Sequence, residues 1–183
     1  MEWTDMPKNF PLFVDIANKK IIVYGAGRIA SRRVETLLAF APSLTVFAPE
    51  ASETVREAHR AGKLSWRREP YRPGTIPADT WMALAATDDP AVNRAVWAEC
   101  REKGVLVNVC SDRSLCDFQF PGIAASGELV IGVNAGGTDH RLAKRWTEKI
   151  RKEVTEDDGY DDQAETAAHD GRPQKDGPGD QNG

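Results

Sequence analysis

Residues Lys20-Ile-Ile-Val-Tyr24 form a short apolar, β-branched run that enters Gly25-Ala26-Gly27-Arg28-Ile29-Ala30. That is a G-x-G-x-x-A turn set between a strand signal and a helical one, and few folds accommodate it. Gly25 permits the tight turn, Gly27 lets the backbone approach a pyrophosphate, and Ala30 is small enough for close helix–strand packing. The helix that follows offers unpaired N–H groups and a positive dipole end to such a group. A dinucleotide site made by Gly25, Ala26, Gly27, Arg28 and Ile29 is the expectation.

The rest of the chain reads as alternating strand and helix. Arg28 to Phe40 has helical spacing, with Ile29, Arg33 or Val34, Leu37 and Leu38 on its apolar face. Ser43 to Ala48 is a second strand closed by Pro49, and Ser52 caps a helix reaching Arg60. Lys63 to Trp66 and the apolar run Trp81 to Ala86 are further strands. Asp89 caps and Pro90 opens a helix that ends at about Lys103 before Gly104, and Val105 to Val109 is the next strand. This order predicts an α/β fold, a Rossmann-type doubly wound parallel sheet with right-handed crossovers, over residues 1–113.

After Cys116 the pattern changes. Phe118 to Ala124 and Glu128 to Val133 are strand-like, with Ala125-Ser126-Gly127 between them. Gly136-Gly137 leads into a helix from about Asp139 to Val154, striped by Leu142, Trp146 and Ile150. Two strands and one helix cannot close a core alone, so residues 114–154 form a small α+β segment that docks on the first domain or on another subunit. Residues 155–183 read as a disordered acidic tail.

Charge sharpens that division. Lys and Arg number 24 against 28 Asp and Glu in 183 residues, a net charge of −4. Nine acids and two bases fall between Thr155 and Gly183, leaving the body with 22 bases and 19 acids. An excess of three is too small to suggest nucleic-acid binding. No apolar run approaches the roughly 20 residues of a membrane helix, and no secretory signal opens the chain. Cys100, Cys110 and Cys116 contain no C-x-x-C pair, which argues against structural zinc or a disulfide framework and for a reducing cytoplasm. Cys110 and Cys116 flank a strand end where a site is expected and read equally as buried small hydrophobes, and His140 reads as a proton shuttle, a metal ligand or simply a surface residue at a helix start.

Such a sheet binds ligands beyond the carboxyl ends of its strands, where strand order reverses. Ala48, Pro49 and Glu50 lie at one such end, Thr87 at another and Asp112 at a third. Glu50 is the acid nearest the expected ribose position and no Arg follows it immediately, so NAD is favoured over NADP.

These residues, in this order, resemble the precorrin-2 dehydrogenases, the NAD-dependent part of siroheme synthases. The resemblance runs from about Phe10 to Val154. It is carried by Pro11-Leu-Phe-Val-Asp15, the Gly25 loop with Arg32-Arg33, Val46 to Glu50, Ala85 to Asp89 with Asn93, Val107-Asn-Val109, Cys116 to Pro121, Gly136-Gly137 and Leu142-Ala-Lys144. It implies a homodimer that oxidises precorrin-2 to sirohydrochlorin with NAD as hydride acceptor; some members also insert iron. A polycarboxylate tetrapyrrole needs cations, for which Arg28, Arg113, Arg141 and Lys144 are candidates. Hydride loss must be coupled to proton loss, for which Asp112 is the candidate base or charge stabiliser and Asp117 its rival.

The chain departs from the family in three places. Ser111 stands where the family has its proposed catalytic Asp, with Asp112 one residue later. Asp139-His140 replaces Ser-Pro after the Gly pair, and the acidic tail stands where a helical domain is expected. Two other readings follow from these departures, a non-catalytic NAD(H)-binding redox or tetrapyrrole-handling module and a sirohydrochlorin ferrochelatase.

Overall fold

The computed structural model describes residues 9–40, 42–137 and 139–157. They divide into two compact units, one of residues up to Pro121 with Asn134–His140, the other of Gly122–Val133 with the chain from Arg141 onward.

The first unit is built on β1 (Lys20–Tyr24), α1 (Arg28–Leu38), β2 (Ser43–Phe47), α2 (Glu53–Arg60), β3 (Ser65–Arg67), β4 (Met82–Ala85), α3 (Pro90–Lys103) and β5 (Leu106–Val109). Its five strands pair in the order β3-β2-β1-β4-β5, and every pairing is parallel. The strands are apolar at consecutive positions because both faces are covered. Ile21, Val23, Leu44, Val46, Met82 and Leu84 share one core with Val34, Leu37 and Val55 of α1 and α2. Ile22, Tyr24, Ala83, Ala85, Val107 and Val109 share the opposite core with Val96 and Cys100 of α3. Period-two alternation of side chains thus fills two layers from one set of strands.

Helix ends follow local chemistry. Ser52 Oγ accepts from Val55 N at 3.4 Å and caps α2. Asp89 Oδ1 accepts from Ala91 N at 2.7 Å, Pro90 follows, and Gly104 closes α3 with φ +67°. Ile29 departs from expectation. It is 52% exposed, and the buried side of α1 is Ala30, Ser31, Val34 and Leu37. Ala30 and Val34, four apart, face the sheet, which turns Ile29 outward by about 100°.

No helix joins β3 to β4; the crossover is held instead by Glu99 of α3. Its carboxylate is buried and accepts from Tyr71 Oη at 2.7 Å, Gly74 N at 2.9 Å, Ile76 N at 2.8 Å and Lys103 Nζ at 2.6 Å. Phe118 to Pro121 is not strand, contrary to the alternation of its side chains. This segment covers the edge of β5: Asp117 N donates to Val107 O at 2.9 Å, and Asn108 Nδ2 to Phe118 O at 2.9 Å. Covering the edge occupies groups that a bare strand would expose.

In the second unit β6 (Gly122–Ser126) and β7 (Leu129–Val133) form an antiparallel hairpin that turns at Gly127. α4 (His140–Asp157) continues past the expected end at Val154. Thr147 is buried on α4 against Gly122, where a Cβ would collide with its side chain. Leu129, Leu142 and Trp146 remain substantially exposed, so the hairpin and helix do not bury all their apolar surface. The predicted acidic tail lies outside the described residues from position 158 onward.

Candidate cofactor and substrate site

Strand order reverses at β1, whose neighbours are β2 and β4. Gly25 leaves β1 there with φ +101°, a conformation that suits glycine alone. A Cβ at Gly25 would lie against the Ala86 carbonyl, 2.7 Å from its carbon and 2.9 Å from Thr87 N. Gly25 N donates to Phe47 O at 2.9 Å, and Ala86 N donates to Tyr24 O at 2.8 Å. The loop is therefore wedged between the ends of β2 and β4.

Two serines hold the remainder of the turn. Ser31 Oγ donates to Gly27 O at 2.9 Å and lies 2.7 Å from Ser52 Oγ, while Ser52 N donates to Ala26 O at 3.2 Å. Both α1 and α2 thus start against the loop. No side chain caps α1 and its first turn carries no acid, so its dipole is not offset locally. A Cβ at Gly27 would meet no protein atom within 4 Å. The fold does not require glycine at that position, whereas a pyrophosphate lying on the backbone does. Gly27, Arg28 and Ile29 are exposed around this space, and Ala26 is buried beneath it. The loop fits a dinucleotide.

At the ends of β4 and β5 the organising residue is Asn93, which is 1% exposed. Its Oδ1 accepts from Thr87 N at 3.0 Å and Thr87 Oγ1 at 2.7 Å. Its Nδ2 donates to Thr87 O at 3.0 Å and to Ser111 Oγ at 3.2 Å. One amide therefore ties Thr87 to Ser111. In the sequence Asn93 stands out only as part of the family resemblance; its distance from Ser111 gives no warning of the contact.

Asp112 begins a single 3₁₀ turn, Arg113–Leu115. Its Oδ1 accepts from Ser114 N at 3.0 Å and Ser114 Oγ at 2.6 Å, and these bonds hold its carboxyl below the usual carboxylate range. With Pro90, Arg94, Val109, Ser111 and Leu115 it lines a shallow cavity of about 180 Å³. Arg113 Nη1 donates to Gly137 O at 3.1 Å, which draws the Gly136-Gly137 turn to this end of the unit.

Other predicted residues fall elsewhere. Asp117 uses Oδ1 on Arg101 at 3.0 Å and Oδ2 on Val107 N at 2.9 Å, two residues before the end of β5, and does not join Asp112. Arg141 and Lys144 belong to the second unit, on α4, where Lys144 lies 3.6 Å from Glu148. His140 is exposed at the start of α4. Ala48 is buried at the end of β2, with Pro49 and Glu50 exposed beyond it. Among the described residues no group of His, Cys, Asp and Glu is arranged to hold a metal ion, and no helix is long and apolar enough to cross a membrane.

A parallel sheet with a glycine loop at its switch point defines a dinucleotide-binding protein. Residues 12–122 match a family model described as "Putative NAD(P)-binding", and the chain belongs to that family, in line with the resemblance of its motifs to precorrin-2 dehydrogenases and siroheme synthases. Similar proteins include a "Probable multifunctional siroheme biosynthesis protein HemA" of Ruminiclostridium josui, 35% identical over 144 residues, which are 78% of this chain and 28% of that protein. A siroheme synthase of Sodalis glossinidius (strain morsitans) is 32% identical over 140 residues, 76% of this chain and 30% of that one. The chain thus spans less than a third of the length of these relatives. A solved structure of SirC, a precorrin-2 dehydrogenase, superposes with a TM-score of 0.70 at 26% identity, covering 79% of this chain and 70% of that one.

Proposed function

We propose that this chain oxidises precorrin-2 to sirohydrochlorin in siroheme biosynthesis, with NAD as hydride acceptor. The observation that carries the reading is the open space above Gly27, beside the uncapped start of α1 at the switch point, with Asn93 tying Thr87 to Ser111 at the ends of β4 and β5. The likeness to siroheme synthases and to SirC supplies the substrate class. NAD, when bound, would accept two electrons and one proton together as hydride. The chain's part is to seat the pyrophosphate on the Gly25–Ile29 turn and to stabilise the positive charge that grows on the macrocycle. Asp112 suits charge stabilisation better than proton abstraction, because a carboxyl held low stays ionised and is a weak base. The proton released in the oxidation passes to solvent.

Two substitutions test separate parts. Gly27→Asp adds a Cβ that meets no protein atom within 4 Å and carries a carboxylate to where the pyrophosphate would lie. NADH affinity should fall by about a hundredfold or more with the melting temperature unchanged; retained affinity would refute the assigned loop. Asp112→Asn keeps an N-cap acceptor and removes the charge. Under anaerobic conditions with NAD⁺ and precorrin-2, wild type should form NADH and Asp112→Asn should be slower by about tenfold or more at equal stability. A folded, NAD-binding wild type that produces no NADH would overturn the reaction. NADPH belongs in the same binding series, because Arg67 pairs with Phe47 across β2 and β3 and brings a guanidinium-bearing residue to the ribose end. Tighter binding of NADPH than NADH would reverse the cofactor choice.

A homodimer is part of the proposal. It is supported by the exposed Leu129, Leu142 and Trp146, and sedimentation equilibrium would test it.

A further inference from the structure

Arg33 sits one turn into α1, with its guanidinium carbon 4.1 Å from the centroid of the Phe120 ring. Its Nη1 donates a long bond, 3.5 Å, to Phe120 O. Burial lowers its pKa, so the cation is desolvated. Yet among the described residues it makes no ion pair, while the buried Glu99 has Lys103. Besides Arg32, the ionisable groups that act on it are Cys110, which also meets it through a side-chain hydrogen bond, and Cys116. Burial pushes both thiols up, so at neutral pH they carry no counter-charge.

A partly buried guanidinium without a carboxylate is costly to keep, and its planar fork is suited to receiving one. Its place in the fold matters. Arg33 is carried by the helix that starts at the glycine loop, and it faces Cys110, which directly precedes Ser111 and Asp112. Phe120 stacks on the guanidinium and fixes its plane.

We propose that Arg33 is a binding residue for a carboxylate of the polycarboxylate macrocycle, anchoring one side chain of the substrate beside the end of β5. The assignment rests on the tetrapyrrole reading above. A purely structural Arg33 would only pin the Phe118–Pro121 segment against α1, and the two roles separate experimentally. Uroporphyrin, a soluble polycarboxylate porphyrin, is titrated into the full chain by fluorescence quenching, with NADH binding and thermal melting measured in parallel. Arg33→Met should bind uroporphyrin about tenfold more weakly, the loss of one charge-assisted contact, with NADH affinity unchanged. Arg33→Lys, which retains charge but not the fork, should fall between Arg33→Met and wild type. Equal uroporphyrin affinity in folded wild type and Arg33→Met would overturn the assignment. If Arg33→Met fails to fold, Arg33→Lys decides: parity with wild type overturns the assignment and a severalfold loss at unchanged NADH affinity supports it. Failure of wild type to bind uroporphyrin at all overturns the tetrapyrrole reading, and this assignment with it.

Discussion

Replacing Gly25 by Ala is expected to lower folding stability by about 3 kcal/mol or more and to abolish NADH binding. Two costs combine. At φ +101° an L-residue is strained by about 1–3 kcal/mol. Its Cβ would also press on the Ala86 carbonyl and Thr87 N, which are backbone atoms at the end of β4 and cannot swing aside. Overpacking of that kind typically costs about 1–3 kcal/mol. Relief requires β1 and β4 to part at the switch point, which removes the turn that would hold the pyrophosphate. Urea unfolding should show a lower midpoint with an unchanged slope. A stability within about 0.5 kcal/mol of wild type would show that the loop is not wedged as described. Gly27→Asp provides the contrast, with affinity lost and stability kept.

Glu99→Ala is the second large effect, and it acts far from the cofactor loop. The substitution leaves Lys103 Nζ without its carboxylate and strips partners from Tyr71 Oη, Gly74 N and Ile76 N. Breaking one side of a buried, multiply bonded charge costs about 3–5 kcal/mol. The β3–β4 crossover should loosen, with faster amide exchange at Gly74 and Ile76. Burial by itself would raise the Glu99 pKa, but the Lys103 ammonium, the Tyr71 hydroxyl and the two amides hold it below the ordinary carboxylate value. Its folded pKa is therefore depressed. The stabilisation is complete above the unfolded carboxyl pKa of about 4.3 and is lost as pH falls through the lower folded value. The stability gap between wild type and Glu99→Ala should thus be widest near pH 7 and narrow below about pH 4. A gap that does not change with pH would refute the ionised network.

Strong local signals made much of this molecule legible in advance. The Asp89-Pro90 start and Gly104 stop of α3 are written in three residues, since each acts on backbone groups within one turn of itself. Ser52 works the same way on α2. The glycine loop was readable because Gly25 and Gly27 answer to backbone demands that few other contexts impose. Ile29 carries the apolar signal of a buried face, but Ala30 and Ser31, too small or too polar to register as apolar markers, occupy that face instead. Phe118 to Pro121 alternated like a strand, but its partners are the polar groups of Asn108 and Val107 rather than a continuing ladder.

Sequence by itself determined the parallel α/β sheet, the ends of α3, the start of α2 and the position of the dinucleotide turn. Each follows from the periodicity of one segment or the backbone freedom of one residue. Tertiary structure alone decided the rest. It joined Asn93 to Thr87 and Ser111, gave both oxygens of Asp117 to β5 and Arg101, buried Glu99 among the crossover's amides and left Arg33 without a carboxylate. Such arrangements join residues distant along the chain, and a polar side chain has the same one-letter code whether it faces water or a partner that folding brings within 3 Å.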